Sequence, residues 1–310
     1  LVLILTSIVT FLVTHIYAKT INLDKVKVSI KDTVIEGWEM VELGLFTVFT
    51  SFISQLTFYI VRVHIGDNLG LAYVGYYTAA TALTIDYMGI IFGAIAVDYF
   101  PKLSSINKND NLINQAIIDQ SNIVLLLGTP LILFLFTFSD YIIEILYSKD
   151  FIIAENLLLL MLIGIFFRLI SFPISYVFLA KGMSRIFVFI EFSFCIILIT
   201  LLFIFWNFFD GLTAFGLSFT FSYLIYYLIN YLLIFRTTKF KYNSETFKTI
   251  LGFLAVTFIY FLISFIYNGT LAIVFKFLIF ILFSFFCYKK LEILTGINFY
   301  YFIKNNFKRK

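Results

Sequence analysis

Nine apolar runs follow one another along this sequence, and each is long enough to cross a lipid bilayer as an α-helix. A spanning helix needs about 20 mostly apolar residues. The runs, named A to I in order, cover residues 1–18, 40–63, 72–99, 121–138, 154–180, 185–206, 211–235, 250–267 and 270–288. They predict an all-α, polytopic transmembrane helix bundle with about nine spans.

The overall composition supports a membrane protein. Of the 310 residues, 62% are hydrophobic and only 13% are charged, whereas soluble domains contain roughly 45–50% apolar and about 25% charged residues. A soluble protein of this length would need a polar surface, and this chain has too few polar residues to cover one. Its surface must therefore face lipid.

Few side chains in the sequence could support catalysis or bind a metal. Cys195 and Cys287 both lie in apolar runs, and His15 and His64 are far apart along the chain. No cluster therefore has the spacing of metal ligands, and no glycine-rich phosphate loop follows a strand pattern. We expect no metal, no cofactor, no nucleic-acid partner and no enzymatic activity.

The distribution of basic residues predicts the orientation in the membrane. Every lysine and arginine except Arg62, Lys149, Arg168 and Lys276 lies in the A–B, C–D, E–F and G–H loops or in the C-terminal tail. Lysine and arginine are enriched in the cytoplasmic loops of membrane proteins. We therefore predict that these loops and the C-terminus face the cytoplasm.

Four charged residues lie away from the ends of the predicted spans, Asp86, Arg168, Glu191 and Lys276, whereas Arg62 and Asp98 lie near span ends. An arginine or aspartate at the centre of a spanning helix costs roughly 2.5–3.5 kcal/mol, so such residues usually face protein or a water-filled cavity and are functional candidates. Lys276 is closer to the end of its run, and we expect its side chain to extend to the membrane interface.

Arg168 lies near the middle of run E, where a charge is hardest to solvate. Helical spacing places Gly164, Ser171 and Ser175 on the same face. Two interpretations stay open. Arg168 either faces a cavity and binds substrate there, with Ser171 and Ser175 lining the same cavity, or it forms a structural ion pair that seals the bundle.

Asp86 and Glu191 are candidates for coupling or cavity-lining roles. Asp86 is at the middle of run C, at the same predicted depth as Arg168, so an ion pair between them is feasible. Gly89 and Gly93 share its face and favour close helix packing. Glu191, in run F, is a protonatable coupling group, a partner for Arg168, or a carboxylate that interfacial water reaches.

Three stretches follow one another in the order and spacing of a known family. They are FYIVRVHIGDNLGLAYVGYYTAATAL, AVDYFPKLSS and LYSKDFIIAENLLLLMLIG. Together they resemble the Wzx-type flippases of O-antigen and other polysaccharide units, which belong to the multidrug/oligosaccharidyl-lipid/polysaccharide exporter superfamily. The resemblance covers roughly residues 36–240.

The resemblance implies a domain organisation. Residues 40–240 would form a six-helix C-terminal lobe, and residues 1–18 the last helix of an N-terminal lobe that is otherwise missing from this C-terminal portion. Residues 19–39 would be a cytoplasmic linker. Residues 241–310 would add two transmembrane helices and a basic cytoplasmic tail.

The resemblance also implies a function. The family moves a polyprenyl-diphosphate-linked oligosaccharide, such as an O-antigen or capsule repeat unit, across the bacterial cytoplasmic membrane by alternating access. It implies that Arg62, which ends the first helix of the lobe, binds substrate. Arg168 and Glu191 match no motif of the family and are candidates on physical grounds alone. The expected partners are the lipid-linked saccharide, membrane lipids, a coupling ion (proton or sodium) and polysaccharide assembly proteins.

Two other functions are alternatives. A drug/cation antiporter of the same superfamily would use Asp86 or Glu191 as its ion site and carry cationic substrates. A membrane polysaccharide polymerase or glycosyltransferase would need acid–base residues on a sizeable soluble loop, and the outer loops carry no such cluster. The flippase is the favoured interpretation.

Overall fold

The computed structural model describes residues 2–20, 29–266 and 269–296, and these ranges are almost entirely helical, with no strand. The helices are α1 (Val2–Thr20), α2 (Ile30–Leu69), α3 (Leu71–Thr81), α4 (Tyr87–Ser105), α5 (Asp110–Leu146), α6 (Ala154–Ala180), α7 (Ser184–Phe205), α8 (Gly211–Thr238), α9 (Ser244–Ile266) and α10 (Thr270–Thr295). A π-helical turn, Ala82–Asp86, joins α3 to α4, and a short 3-10 helix, Lys149–Ile153, precedes α6.

Eight of the described helical segments are long and apolar enough to cross a membrane. They correspond to runs B to I, and α6 begins and ends at the predicted residues, 154 and 180. Run A corresponds to α1, whose described apolar segment, Leu5–Tyr17, is shorter than a full span. The predicted fold class, an all-α multi-pass transmembrane bundle, is confirmed.

The contacts divide the chain into two units, Leu1–Leu45 and Phe46–Lys310. The predicted linker, residues 19–39, is helical in its second half because α2 already begins at Ile30. This half contains no proline, and lysine and glutamate have high helix propensities, so the helix extends beyond the apolar run. Residues 21–28, and the predicted basic tail from residue 297 onward, lie outside the described residues.

Helix α6 is the central helix of the second unit. It contacts α3, α4, α5, α7, α8 and α9, and 89% of its most apolar segment is buried inside the protein, compared with 11% for α2. A helix that is apolar on all sides is typically buried in a bundle. Arg168 therefore lies on the most enclosed of the eight spans.

Glycines bring α6 and α8 into close contact. A Cβ atom added to Gly164 would lie 2.7 Å from the ring of Phe219 and 3.1 Å from the Cα atom of Thr220. One added to Gly216 would lie 2.8 Å from the Cβ atom of Leu160. Each helix thus contributes a glycine to this contact, and neither position has room for a side chain.

The close packing predicted at Gly89 and Gly93 does not occur within the described structure. A Cβ atom added at either position meets nothing within 4 Å. The face of α4 that carries these two glycines is therefore open. Small residues permit two helices to approach closely, but they do not by themselves cause a helix to pack there.

Replacing Gly164 with alanine should destabilise the protein. The new methyl group would overlap the Phe219 ring, and overpacking of this kind costs typically about 1–3 kcal/mol. Thermal unfolding of the purified protein in detergent should therefore begin at a lower temperature. The matched control is Gly252→Ala in α9, where an added Cβ atom meets nothing within 4 Å. Equal unfolding temperatures for the two variants would contradict the close contact.

A buried lysine connects α10 to a kink in α5. Lys276 is only 6% exposed, and its Nζ atom donates to the carbonyl of Phe136 at 3.3 Å and to the hydroxyl of Ser264 at 3.2 Å. The backbone is non-helical at Phe138, and such a kink frees carbonyls of the preceding turn. The expectation that Lys276 extends to the interface is therefore wrong, because the kink supplies its ammonium group with a partner inside the protein.

Candidate functional site

A cavity of about 420 Å³ lies within the second unit, between α2, α4, α6, α7 and α8. Its volume is within the range of roughly 300–1,000 Å³ that is usual for small-molecule sites. Helix α6 contributes Arg168, Phe172, Ser175 and Tyr176 to the wall. The cavity therefore contains a permanent positive charge among aromatic and hydroxyl groups.

The guanidinium group of Arg168 lies between aromatic rings. Its Cζ atom is 5.0 Å from the ring centre of Phe92 and 5.7 Å from that of Tyr223. Its Nη1 atom is buried and has no hydrogen-bond partner in the described part of the chain. No ion pair within 4.0 Å joins Arg168 to a described carboxylate. Arg168 thus lines the cavity and forms no ion pair among the described residues, and its role in substrate binding stays a prediction.

Glu191 of α7 also lines the cavity. Its Oε1 atom accepts a hydrogen bond of 2.7 Å from the hydroxyl of Tyr226 in α8. The carboxylate interacts electrostatically with Arg168, although no ion pair within 4.0 Å joins the two among the described side chains. A cation and a carboxyl group thus share the cavity without neutralising each other by direct contact.

The two candidate serines of α6 have different surroundings. Ser175 lines the cavity and donates to the carbonyl of Phe172 at 3.1 Å. Ser171 is fully buried away from the cavity and donates to the carbonyl of Phe167 at 2.5 Å. The expectation that Ser171 lines the cavity is therefore wrong. Three residues advance a helix by about 300°, so Ser171 lies on the flank of the face that Arg168 occupies.

Asp86 is exposed at the end of the π-helical turn and does not line the cavity. Thr84, two residues before Asp86, lies beside Met161 of α6, with its hydroxyl 3.8 Å from the sulfur. Arg168, two turns further along α6, lies over Phe92 of α4 instead. Six residues of helix separate Asp86 from Phe92, or about 9 Å. Asp86 and Arg168 are therefore offset along the helix axes rather than level with each other, and no ion pair joins them among the described residues.

Arg62 is exposed on α2 and lies outside the cavity lining. It is one helical turn beyond Phe58, which does line the cavity, so the two side chains share a face of α2. The structure therefore does not bring Arg62 and Arg168 together, and a role of Arg62 in substrate binding stays a prediction.

The comparisons with known proteins agree with this architecture. Residues 2–154 match the family described as polysaccharide biosynthesis protein. A solved structure with a similar fold is the lipid II flippase MurJ in an inward closed conformation. The TM-score is 0.59 and the sequence identity 20%, over 89% of this chain and 58% of the flippase chain. No curated protein sequence matches.

The chain shares the fold of that flippase. The two matches support the resemblance predicted from the three sequence stretches. The chain spans 58% of the length of the flippase that it matches. It is a multi-pass membrane protein.

The sequence analysis did not identify one group of cavity residues. Helix α2 contributes four uncharged polar side chains to the wall, which are Thr50, Ser51, Ser54 and Gln55. The signal was present, because polar residues three and four apart in run B lie on one helix face. It was overlooked because a search for charges does not detect uncharged polar groups.

Proposed function

We propose that this protein moves a polyprenyl-diphosphate-linked oligosaccharide across a membrane by alternating access. The observation that carries the proposal is the guanidinium group of Arg168, which lines a membrane-embedded cavity without an ion-pair partner in the described structure. The polysaccharide biosynthesis family match and the fold of a lipid II flippase support the same class of substrate.

The chemistry of such a substrate suits this cavity. A diphosphate is costly to place in hydrocarbon, and an arginine binds phosphate oxygens by short, charge-assisted and often bidentate hydrogen bonds. Phe92 and Tyr223 flank the guanidinium group and orient its plane. The polyprenyl chain is as apolar as the lipid around the helices and needs no dedicated polar site. No covalent chemistry is required.

Glu191 is the candidate for coupling transport to a proton or sodium gradient. Its carboxyl group lines the cavity and accepts a hydrogen bond from the hydroxyl of Tyr226. Protonation of Glu191 would therefore change the electrostatic potential at Arg168, which lines the same cavity. The same carboxyl group favours a second candidate function, a drug/cation antiporter of the superfamily. The positive charge of Arg168 in that cavity disfavours cationic cargo.

The finer assignments belong to the same proposal. The substrate would be an O-antigen or capsule repeat unit, and the location would be the bacterial cytoplasmic membrane with the C-terminus in the cytoplasm, as the lysine and arginine distribution predicts. Arg62 would contact the substrate outside the cavity, along the same face of α2 as Phe58. Polysaccharide assembly proteins would receive the product, and Asp86 remains a second candidate for coupling.

A reconstituted transport assay tests the proposal. We expect the purified full-length protein in proteoliposomes to move a fluorescent undecaprenyl-diphosphate oligosaccharide between leaflets faster than protein-free vesicles do. The fraction accessible to an added membrane-impermeant quencher measures this movement, with and without an imposed proton or sodium gradient. A fluorescent organic cation in the same vesicles tests the antiporter. Transport of the cation and not of the lipid-linked saccharide would overturn the proposed function.

A further inference from the structure

Four uncharged polar side chains lie on one face of α2 in the middle of its membrane span. They are the cavity residues Thr50, Ser51, Ser54 and Gln55, which we call the α2 polar patch. The span is Gly44–Leu69, so Gln55 is close to its centre. Polar groups at this depth are costly in lipid unless they have partners.

The hydrogen-bonding capacity of the patch is largely unused. The hydroxyls of Thr50 and Ser51 donate to the carbonyl of Thr47 at 2.9 and 2.8 Å, so their oxygen atoms remain as acceptors. The side chains of Ser54 and Gln55 form no hydrogen bond to any other described residue. The amide of Gln55 alone offers two donor hydrogens and one carbonyl acceptor.

The cavity is divided by charge. Arg168, on the α6 side, suits an anion, whereas the α2 polar patch is neutral and presents donors and acceptors together. Hydroxyl and acetamido groups of a sugar are neutral and also combine donors with acceptors, so they match the patch better than a diphosphate does. The cavity volume of about 420 Å³ is near the lower end of the range for ligand sites, which suits one headgroup segment.

We propose that Ser54 and Gln55 recognise the sugar that is attached directly to the diphosphate. This inference rests on the proposed function and assigns the diphosphate and the sugar to different residues of the site. Arg168 binds the diphosphate on one wall, and the α2 polar patch bonds to the hydroxyl or acetamido groups of the adjacent sugar on the other wall. The patch thereby makes binding depend on the saccharide and not only on the lipid diphosphate.

Equilibrium binding to the full-length protein in lipid nanodiscs tests this division. The two probes are undecaprenyl diphosphate and undecaprenyl diphosphate that carries one N-acetylglucosamine. We expect Gln55→Leu to weaken binding of the sugar-bearing probe about tenfold and to change binding of the bare diphosphate less than about twofold. Ser54→Ala should act in the same direction with a smaller effect, and it carries the test if Gln55→Leu does not fold.

Two reference variants separate the possible outcomes. Arg168→Ala should weaken binding of both probes. Thr57→Val, on the same helix but buried away from the cavity and bonded to the carbonyl of Ile53 at 2.8 Å, should affect neither. If Gln55→Leu and Ser54→Ala weaken both probes equally or leave both unchanged, the sugar-recognition role is overturned. If the unmodified protein binds neither probe, the proposed function itself fails.

Discussion

Replacing Arg168 with alanine should reduce the rate of lipid-linked saccharide transport by about 30-fold or more. Removal of one member of a desolvated charge pair costs roughly 2–5 kcal/mol, and the diphosphate would lose the cation that we propose as its partner. Fold stability should fall only by the loss of the cation–π contacts with Phe92 and Tyr223, each worth about 0.5–2 kcal/mol. Leaflet exchange in proteoliposomes and thermal unfolding in detergent measure the two quantities separately.

The matched control for this substitution is Arg185→Ala. Arg185 is exposed near the start of α7 and lies outside the cavity lining, so transport should be retained. Arg168→Lys should restore only part of the activity, because an ammonium group keeps the charge but loses the planar, bidentate geometry. Transport by Arg168→Ala at the rate of the unmodified protein would exclude Arg168 from the substrate site.

Replacing Lys276 with methionine should lower the free energy of unfolding by about 3–5 kcal/mol, the usual cost of removing one partner from a buried charge network. The carbonyl of Phe136 and the hydroxyl of Ser264 would lose their donor. The carboxylates of Asp140 and Glu155, which interact electrostatically with Lys276, would lose their cation. Chemical or thermal unfolding in detergent measures the change.

Lys289→Met on the same helix provides the comparison. Lys289 is exposed and pairs with Glu292 at 3.3 Å, and a surface pair of this kind contributes about 0–1 kcal/mol. Both substitutions remove one positive charge and keep the aliphatic stem, so they differ only in burial and partners. Equal stabilities of the two variants would show that Lys276 does not support the kink in α5.

The sequence predicted the spans well because their cause is local. Helix α6 begins and ends at the predicted residues, since a bilayer requires a continuous apolar helix of a certain length. Arg168 was identified from the free-energy cost of a charge in the membrane alone, because an arginine at the centre of such a helix needs a cavity or a partner. These conclusions need no knowledge of which helices touch.

The sequence-based predictions that the structure corrects depend on how the helices lie relative to one another. The depth of Asp86 relative to Arg168 depends on how far two spans extend beyond their apolar cores, and hydropathy does not define those ends. The partner of Lys276 depends on a kink in another helix, at Phe138. The α2 polar patch was missed because single uncharged residues are tolerated in spans, and only the fold shows that four of them line one cavity.

The glycine contact between α6 and α8 has a mechanical consequence. Gly164 and Gly216 leave no space between the two helices, so rotation or sliding of one against the other would produce steric overlap. Arg168 on α6 and Tyr226 on α8 must therefore move as one rigid body. Helix α2 is the least buried of the eight spans, so we expect any widening or narrowing of the cavity to involve α2 rather than the contact between α6 and α8.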